Sequence, residues 1–494
     1  MNGRVGKDAR ARPFPPPAER IEPLHLAHFI QRYPPALGGS EAYIARLARH
    51  LSDLGHTQTI WTTTAVDLSA FWSRRATELP ATATEAAELP ATTPADSAPD
   101  AGGERVRVRR FRPWRWPARR YWLKALSLVP VRPWQAATLP CNPFCPAMWR
   151  AAGQYRAEPV DLVHASAFPY AFPILCGLRL ARRCGVPFWL TPFLHLGDPD
   201  RPTDRIRRRY LAKPLVWLLH QADRVFVQTP SEWAAVVGVG VPAQRVVLQG
   251  LGVEPDECTG GDRARTRAAW GIPAGAMVVG HLANLSEEKG SVDLLHAWAQ
   301  LARAGAGQLV ELVLAGPAMP NFERAWARLP AALRQRVRRL GPLTDGQRRD
   351  FYAGIDTFAL PSRSDSFGLV LLEAWANARP TVVYRAGGPA DLVRDGRDGL
   401  VVPCGDQDGL AAALLRLAEN PEERWAMGWR GQARALAEFR WEDRLARFSS
   451  LLGPERHHHV RVGRQVRPFE QVDTVRHGWE DGQQALADGS RLAG

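Results

Sequence analysis

Buried strands alternate with amphipathic helices along this chain, and that alternation constrains the fold more than any other feature. The segment from Leu24 to Phe29 is typical of a buried strand. A glycine-containing turn follows, and then a helix whose apolar residues keep helical spacing, with Gly55 as its stop signal. The apolar positions of this helix are Ile44, Leu47, Ala48, Leu51 and Leu54. Ile60 opens the next strand, so the order predicts a parallel α/β sheet.

The same order recurs in two series, which predicts two Rossmann-like domains facing a cleft. Further strands of the first series are expected at 161–164, 187–190 and 224–227. Those of the second series are expected at 277–282, 309–315, 356–360, 381–384 and 399–402. A length of 494 residues is too large for one core and fits two domains.

The predicted domain boundaries follow from these series and from composition. We expect a first domain over 21–252, a second over 253–435 and a C-terminal helix over 436–453 that returns to the first domain. Residues 1–20 are rich in Arg and Pro and are expected to be a disordered arm. A mobile insertion rich in Ala, Thr and Pro is expected at about 75–103, and a weakly ordered tail at 454–494. That tail includes His457, His458 and His459, which are as consistent with a chance cluster as with a metal site.

Targeting and redox signals are weak. The sequence has no uninterrupted apolar run of about 18 residues, and its N-terminus lacks the apolar centre of a signal peptide. We therefore expect a cytoplasmic protein. Six cysteines are scattered without the spacing of a zinc site or a disulfide scaffold, so free thiols and no bound metal are expected.

The formal net charge of +14 is concentrated in one stretch. Between Arg105 and Ala157 there are twelve Lys or Arg residues and no Asp or Glu, and five tryptophans lie among them. Such a stretch attracts nucleic acid, an anionic membrane or a phosphorylated acceptor. Aromatic residues among cations can stack on bases, but no nucleic-acid module surrounds them, so nucleic acid is not an expected partner. The same composition suits a lipid headgroup layer.

The strongest chemical signal is the segment Pro361 to Ala374, which follows a strand and opens a helix. Backbone N–H groups around Phe367, Gly368 and Leu369 would lie at the helix N-terminus, where a diphosphate is favoured. Glu373 can accept hydrogen bonds from a ribose diol. Asp365, before the helix, can reach hydroxyls of a bound sugar.

These residues resemble the retaining glycosyltransferases of family 4, which have the GT-B fold and two acids separated by seven residues. In this chain the two acids are Asp365 and Glu373, the first shortened from Glu to Asp. The resemblance extends over about residues 24 to 450. It includes 229–232, 314–316, 386–389, 398–401 and 405–406.

The resemblance also implies roles for residues outside the two-acid motif. Lys289 matches the family's phosphate-binding Lys, whereas the Arg that accompanies it is Asn284 here. Gly38 and Gly39 correspond to the glycine loop that faces the donor. His195, at a strand end of the first domain, corresponds to the His close to the reacting sugar. His25 and His28 are weaker candidates for that position.

The function implied is transfer of a hexose from a nucleoside diphosphate sugar to an acceptor hydroxyl, with retention, in bacterial-type polysaccharide or glycolipid synthesis. The sugar nucleotide is a co-substrate and no other cofactor is expected. The expected partners are this donor, a sugar or lipid-linked acceptor, and an anionic membrane surface. The protein would lie peripherally on the inner face of that membrane. Two alternatives stay open: a sugar-nucleotide epimerase, and a degenerate GT-B protein that binds nucleotide or membrane without turnover.

Overall fold

The computed structural model describes most of the chain in atomic detail. The described residues are 22–36, 38–71, 79, 105–116, 118–201, 203–273, 275–305 and 309–453. The expected N-terminal arm, the insertion apart from Leu79, and the tail with its three histidines lie outside them.

Two parallel sheets organise the described chain, and every strand pairing within them is parallel. The first has the strand order β3-β2-β1-β4-β5-β6-β7 and the second β10-β9-β8-β11-β12-β13. The strands are β1 His25–Phe29, β2 Thr57–Thr63, β3 Val106–Phe111, β4 Leu162–Ser166, β5 Phe188–Thr191, β6 Arg224–Val227, β7 Val246–Leu248, β8 Met277–Leu282, β9 Val310–Ala315, β10 Val337–Gly341, β11 Thr357–Leu360, β12 Thr381–Tyr384 and β13 Gly399–Val402.

Helices connect the strands and cover the sheets. They are α1 Gly39–Asp53, α2 Arg119–Leu126, α3 Arg132–Ala137, α4 Pro146–Gln154, α5 Ala171–Cys184, α6 Arg205–Tyr210, α7 Lys213–Gln221, α8 Pro230–Gly238, α9 Pro255–Cys258, α10 Arg263–Trp270, α11 Ser291–Arg303, α12 Pro320–Arg328, α13 Ala331–Arg334, α14 Asp345–Gly354, α15 Leu369–Ala376, α16 Gly387–Leu392, α17 Gln407–Glu419, α18 Pro421–Glu438 and α19 Trp441–Ser449. The central strands are buried along their whole length, as parallel strands are when helices cover both faces.

Each sheet reverses its strand order once, and this places the site. The order reverses between β1 and β4 in the first sheet and between β8 and β11 in the second. In doubly wound sheets, ligands bind beyond the carboxyl ends of the strands at such reversals. The glycine loop follows β1, the Lys289 loop follows β8 and the Asp365 loop follows β11.

The chain passes between the two sheets twice, at adjacent points. Val253 donates its N–H to the carbonyl of Phe439 at 2.7 Å. A Cβ on Gly252 would lie 2.6 Å from Cα of Trp441, so only glycine permits this approach. Beyond the second crossing, α19 packs Phe448 on Trp189 and Phe226 of the first sheet, with ring centroids 4.9 and 4.7 Å apart.

Several sequence predictions need correction in detail. The structure adds three strands that were not predicted, β3, β7 and β10. β2 begins at Thr57 rather than at Ile60. Leu54, expected on the apolar face of the first helix, follows the end of α1 and is 49% exposed. Gly55 does end that helix, with a φ of 96°.

Candidate active site

Two loops of the second domain are joined closely at the strand-order reversal. Arg363 donates its N–H to the carbonyl of Glu288 at 2.9 Å. Gly290, with a φ of 73°, caps α11, and a Cβ there would lie 1.8 Å from the carbonyl oxygen of Pro361. Glycine is therefore required both for the backbone conformation and for the contact. This contact fixes Lys289 beside the Asp365 loop.

Lys289 and Asp365 form an ion pair at the centre of these loops. Lys289 Nζ lies 2.7 Å from Asp365 Oδ2 and donates to the carbonyl of Ser364 at 3.1 Å. Burial disfavours the charged carboxylate, but Lys289 and His195 outweigh it and lower the pKa of Asp365. Asp365 is therefore ionised at neutral pH, and Lys289 holds its ammonium where the two loops meet.

The segment after Asp365 enters α15 through Gly368, which has a φ of 92°. Phe367 has a buried ring, and its N–H points to Asp365 Oδ1 at 3.4 Å. Gly368 and Leu369 begin the helix, whose first N–H groups have no partner within the helix itself. The structure thus places an anion-attracting helix end next to Lys289, with Phe367 contributing its backbone rather than its side chain.

Glu373 lies further along α15 and contacts α14. Tyr352 donates its hydroxyl to Glu373 Oε2 at 2.8 Å, and Arg348 Nη1 lies 3.2 Å from Oε1. Burial raises the pKa of Glu373, and Arg348 and Tyr352 partly offset this. The carboxylate lines a narrow cavity of about 70 Å³ between the domains, which Arg46 and Glu257 border with an ion pair.

The glycine loop of the first domain faces α15 directly. A Cβ on Gly39 would lie 3.8 Å from the side chain of Leu369. A Cβ on Gly38 would lie 2.2 Å from Glu41 Oε2, and Glu41 in turn pairs with Arg32 at 2.7 Å. Gly38 is therefore packed against Glu41, and Gly39 lies within van der Waals distance of α15.

His195 reaches across the cleft from the end of β5. Its Nδ1 lies 2.8 Å from Ser364 Oγ, and its ring stacks on Tyr210 with centroids 4.6 Å apart. Burial, reinforced by Lys289, lowers the pKa of His195 to about 4, so the imidazole is neutral at pH 7. A neutral ring that bonds through Nδ1 keeps Nε2 for a ligand hydroxyl.

The structure places the two weaker histidines outside this cluster, and the role of Asn284 stays a prediction. Asn284 follows β8 and is exposed. His25 and His28 lie inside the first sheet. His25 contacts Thr59 at 2.9 Å, and His28 contacts His164 at 3.1 Å. Of the predicted residues, Lys289, Asp365 and His195 meet most closely, while Glu373 and the glycine loop border the same cleft.

Other residues of the cleft were not singled out from the sequence. Ser364, Tyr210, Arg348 and Tyr352 contact predicted residues as described above, and Arg46 lines the cavity beside Glu373. Arg348 and Tyr352 are four residues apart on one face of α14, which is the only sequence signal they carry. That spacing is common to most helices.

Within the described residues, no helix has the length and apolar character required to cross a membrane. No group of three or more His, Cys, Asp or Glu in that part of the chain has the arrangement of a metal site. All six cysteines are free thiols.

Family models match both domains. The model described as glycosyl transferase 4-like domain matches residues 38–252, and the model described as glycosyl transferases group 1 matches residues 276–420. The matched regions contain the glycine loop, His195, Lys289 and the two-acid motif. The chain belongs to the group 1 glycosyltransferases of family 4, which have the GT-B fold.

Curated relatives and solved structures agree with this assignment. A D-inositol 3-phosphate glycosyltransferase of Saccharomonospora viridis is 34% identical over 253 residues, which is 50% of this chain and 57% of the relative. The alignment thus spans little more than half of that relative. Sucrose-phosphate synthase from Thermosynechococcus elongatus superposes with a TM-score of 0.64 at 20% identity, covering 87% of this chain and 98% of that one. Anabaena HepE in complex with UDP and glucose has a TM-score of 0.59 at 19% identity, covering 87% and 98%.

Proposed function

We propose that the protein transfers a hexose from a nucleoside diphosphate sugar to an acceptor hydroxyl with retention at the anomeric carbon. The observation that carries the proposal is the meeting of Lys289 and Asp365 with His195 across the cleft, beside the N-terminus of α15. Family membership supports the class of reaction. The donor, the stereochemistry and the acceptor are parts of the proposal.

The diphosphate is assigned to Lys289 and the first N–H groups of α15. In the reaction, the bond between the anomeric carbon and the diphosphate oxygen breaks, and its electron pair stays on that oxygen. Negative charge therefore grows on the leaving group, where a fixed ammonium and a helix N-terminus stabilise it more in the transition state than before. The exposed Asn284 lacks charge, so Lys289 supplies the phosphate cation of this loop.

The hexose is assigned to the space between Asp365 and His195. Asp365 is charged and accepts hydrogen bonds from sugar hydroxyls, and the neutral His195 offers Nε2 to another hydroxyl. The acceptor oxygen forms the new bond to the anomeric carbon, and its proton passes to an oxygen of the departing diphosphate. No residue has to form a covalent intermediate.

The nucleoside is assigned to the cavity beside Glu373, whose carboxylate accepts from the ribose diol. UDP-sugars are the first donors to test, because HepE, which shares the fold, was crystallised with UDP and glucose. The acceptor is proposed to be a sugar or a lipid-linked sugar, in polysaccharide or glycolipid synthesis.

A phosphorylated polyol is a further acceptor to test, since the relative from Saccharomonospora viridis is named for inositol 3-phosphate. Arg209 on α6 supports an anionic acceptor group. Its positive charge acts on His195, where it helps to lower the pKa of the imidazole, and it directly precedes Tyr210, on which His195 stacks.

The test is a screen of UDP- and GDP-hexoses with the purified chain, scoring donor hydrolysis and transfer to sugars and to inositol phosphate. The configuration of the product is read by NMR. We expect one donor to be consumed with release of nucleoside diphosphate, and an α-linked donor to give an α-linked product. An inverted product would contradict retention. Binding of nucleotide without turnover would favour the degenerate protein, and conversion of the donor to its epimer would favour the epimerase.

A further inference from the structure

Exposed apolar side chains are concentrated in one short part of the first domain. Among the described residues, eight of the fourteen exposed large apolar side chains lie between Trp114 and Trp134. Seven of them belong to α2, α3 and the turn between these helices, and we call this group the α2–α3 surface. Its members are Tyr121, Trp122, Leu126, Leu128, Val129, Val131 and Trp134. Monomeric soluble proteins rarely present such a patch unless something binds there.

Two hydrogen bonds and one buried side chain hold the α2–α3 surface in place. The indole of Trp134 donates to the carbonyl of Leu126 at 2.8 Å, and Gln135 Nε2 donates to the carbonyl of Ser127 at 3.0 Å. These two bonds close the turn between the helices. Leu123, only 1% exposed, anchors α2 in the domain. The hydrogen-bonded turn therefore presents the apolar side chains to solvent.

Three side chains of this surface are more exposed than the others. Leu128 is 78% exposed, Tyr121 79% and Trp122 60%. Tyr and Trp are the residues that favour the boundary between lipid and water, because each combines an apolar ring with a polar group.

The stretch of sequence that forms this surface carries only positive charges. Arg120 and Lys124 are exposed on α2 between the apolar side chains, and no Asp or Glu occurs from Arg105 to Ala157. Arg119 differs from them, since it is 3% exposed and donates to the carbonyl of Phe71. Its role is structural. An apolar patch on a stretch of chain that carries cations and no acids complements an anionic lipid surface rather than the mixed charges of a typical protein partner.

We propose that the α2–α3 surface docks the protein on an anionic bilayer, with Tyr121, Trp122 and Leu128 at headgroup level and Arg120 and Lys124 on lipid phosphates. This proposal goes beyond glycosyl transfer and does not depend on it. Docking is measured without any sugar nucleotide, so failure of one proposal leaves the other testable.

The experiment is co-sedimentation of the full chain with vesicles of phosphatidylcholine alone or mixed with phosphatidylglycerol, at low and high salt. We expect binding to the mixed vesicles, weakened by salt. The apolar variant Tyr121→Ser/Trp122→Ser/Leu128→Ser and the charge variant Arg120→Gln/Lys124→Gln should each bind about tenfold less. The matched control is Trp425→Ser/Trp429→Ser, which removes two exposed tryptophans from α18 of the second domain and should bind like the wild type.

Thermal unfolding verifies that the variants are folded, as expected for changes at exposed positions. Equal wild-type binding to both vesicle types, or undiminished binding by the apolar variant, would overturn the proposal. Sedimentation velocity tests whether a second copy of the chain occupies this surface instead. If the wild type forms a dimer that the apolar variant loses, and binds no vesicles, the surface joins two copies of the chain and the bilayer proposal is wrong.

Discussion

Glu373 uses both carboxylate oxygens inside the protein, one with Tyr352 and one with Arg348. A ribose diol would add to or replace these partners. Glu373→Ala should therefore weaken nucleotide binding by about 1–3 kcal/mol, because the ribose hydroxyls lose an acceptor. Calorimetry with UDP and GDP measures this. Glu422→Ala, at an exposed position of α18, is the control and should leave affinity unchanged. Unchanged affinity of the Glu373 variant would remove this residue from the site.

Lys289 should affect turnover more than binding, because the charge on the diphosphate grows as the bond breaks. We expect Lys289→Ala to lower kcat by about 10²–10³-fold, the usual effect of losing one electrostatic stabiliser. Lys289→Arg should restore only part of the rate, since guanidinium differs in shape and hydrogen bonding. Steady-state kinetics at saturating donor is the measurement, with Lys213→Ala on α7 as the control. A near wild-type rate for Lys289→Ala would show that the phosphate assignment is wrong.

At the scale of single residues, the sequence predicted those that belong to a spaced motif and missed those that do not. Asp365, Glu373 and Lys289 follow strand ends at recognisable intervals, and their functional roles stay predictions. Arg348 and Tyr352 lie on an ordinary helix, and their importance appears only when α14 packs beside α15. His195 meets Ser364 over 169 positions of sequence, a contact that no local pattern encodes.

Among the secondary-structure elements, the pairing of β1 with β4 creates an acid-sensitive pair of histidines. The strand register places His28 beside His164, and their Nδ1 atoms lie 3.1 Å apart. Burial lowers the pKa of His28 to about 3 and lowers that of His164 well below its usual range. Since His164 Nε2 contacts Thr191 Oγ1 at 2.8 Å, the arrangement that leaves no N–H unpaired has His28 donating to His164 and His164 donating to Thr191.

Both histidines have folded-state pKa values below the unfolded value, so the unfolded chain binds more protons as the pH falls. Their contribution to stability is present above the unfolded pKa of about 6.5 and is lost as the pH drops toward 3, by at most about 1.4 kcal/mol per pH unit for each histidine. His28→Gln should therefore reduce the slope of unfolding free energy against pH between about pH 6.5 and 5. Urea denaturation at several pH values measures it. The exposed His220→Gln is the control, and an equal slope for wild type and His28→Gln would contradict the assignment.

The three strands that the sequence failed to predict are all edge strands. β3 and β7 are the two edges of the first sheet, and β10 is one edge of the second. β3 and β10 carry several arginines, and β7 has only three residues. Edge strands are commonly short or charged, which hides the apolar pattern that identifies a central strand. The central strands, buried on both faces, were predicted within a few residues.

For the molecule as a whole, the ion pair between Arg46 on α1 and Glu257 on α9 spans the two domains. It borders the cavity of about 70 Å³ beside Glu373, whereas ligand sites typically measure roughly 300–1,000 Å³. A nucleoside therefore requires these side chains to separate. Glu257→Gln should strengthen UDP or GDP binding by about 1.5- to 5-fold, the range that corresponds to a partly exposed pair of about 0.2–1 kcal/mol.

Calorimetry of Glu257→Gln tests the effect, with Glu254→Gln as the control. Glu254 also forms an ion pair, with Arg440 at 3.3 Å, but this pair lies where the two crossing segments of the chain meet. Only the change at Glu257 should alter nucleotide affinity. Weaker binding by Glu257→Gln would show that Glu257 contacts the nucleotide or holds the cleft in its binding form.

The position of α19 has a consequence for biosynthesis. Trp441–Ser449 is translated after the entire second domain, yet Phe448 fills a place between His164, Trp189 and Phe226 of the first sheet. At about 5–20 residues per second, this place stays open on the ribosome for roughly ten to forty seconds after residue 252 has been added. During that interval the nascent first domain exposes the aromatic side chains of His164, Trp189 and Phe226 to water. Aggregation or chaperone capture should therefore concentrate between the completion of the first sheet and the arrival of Phe448.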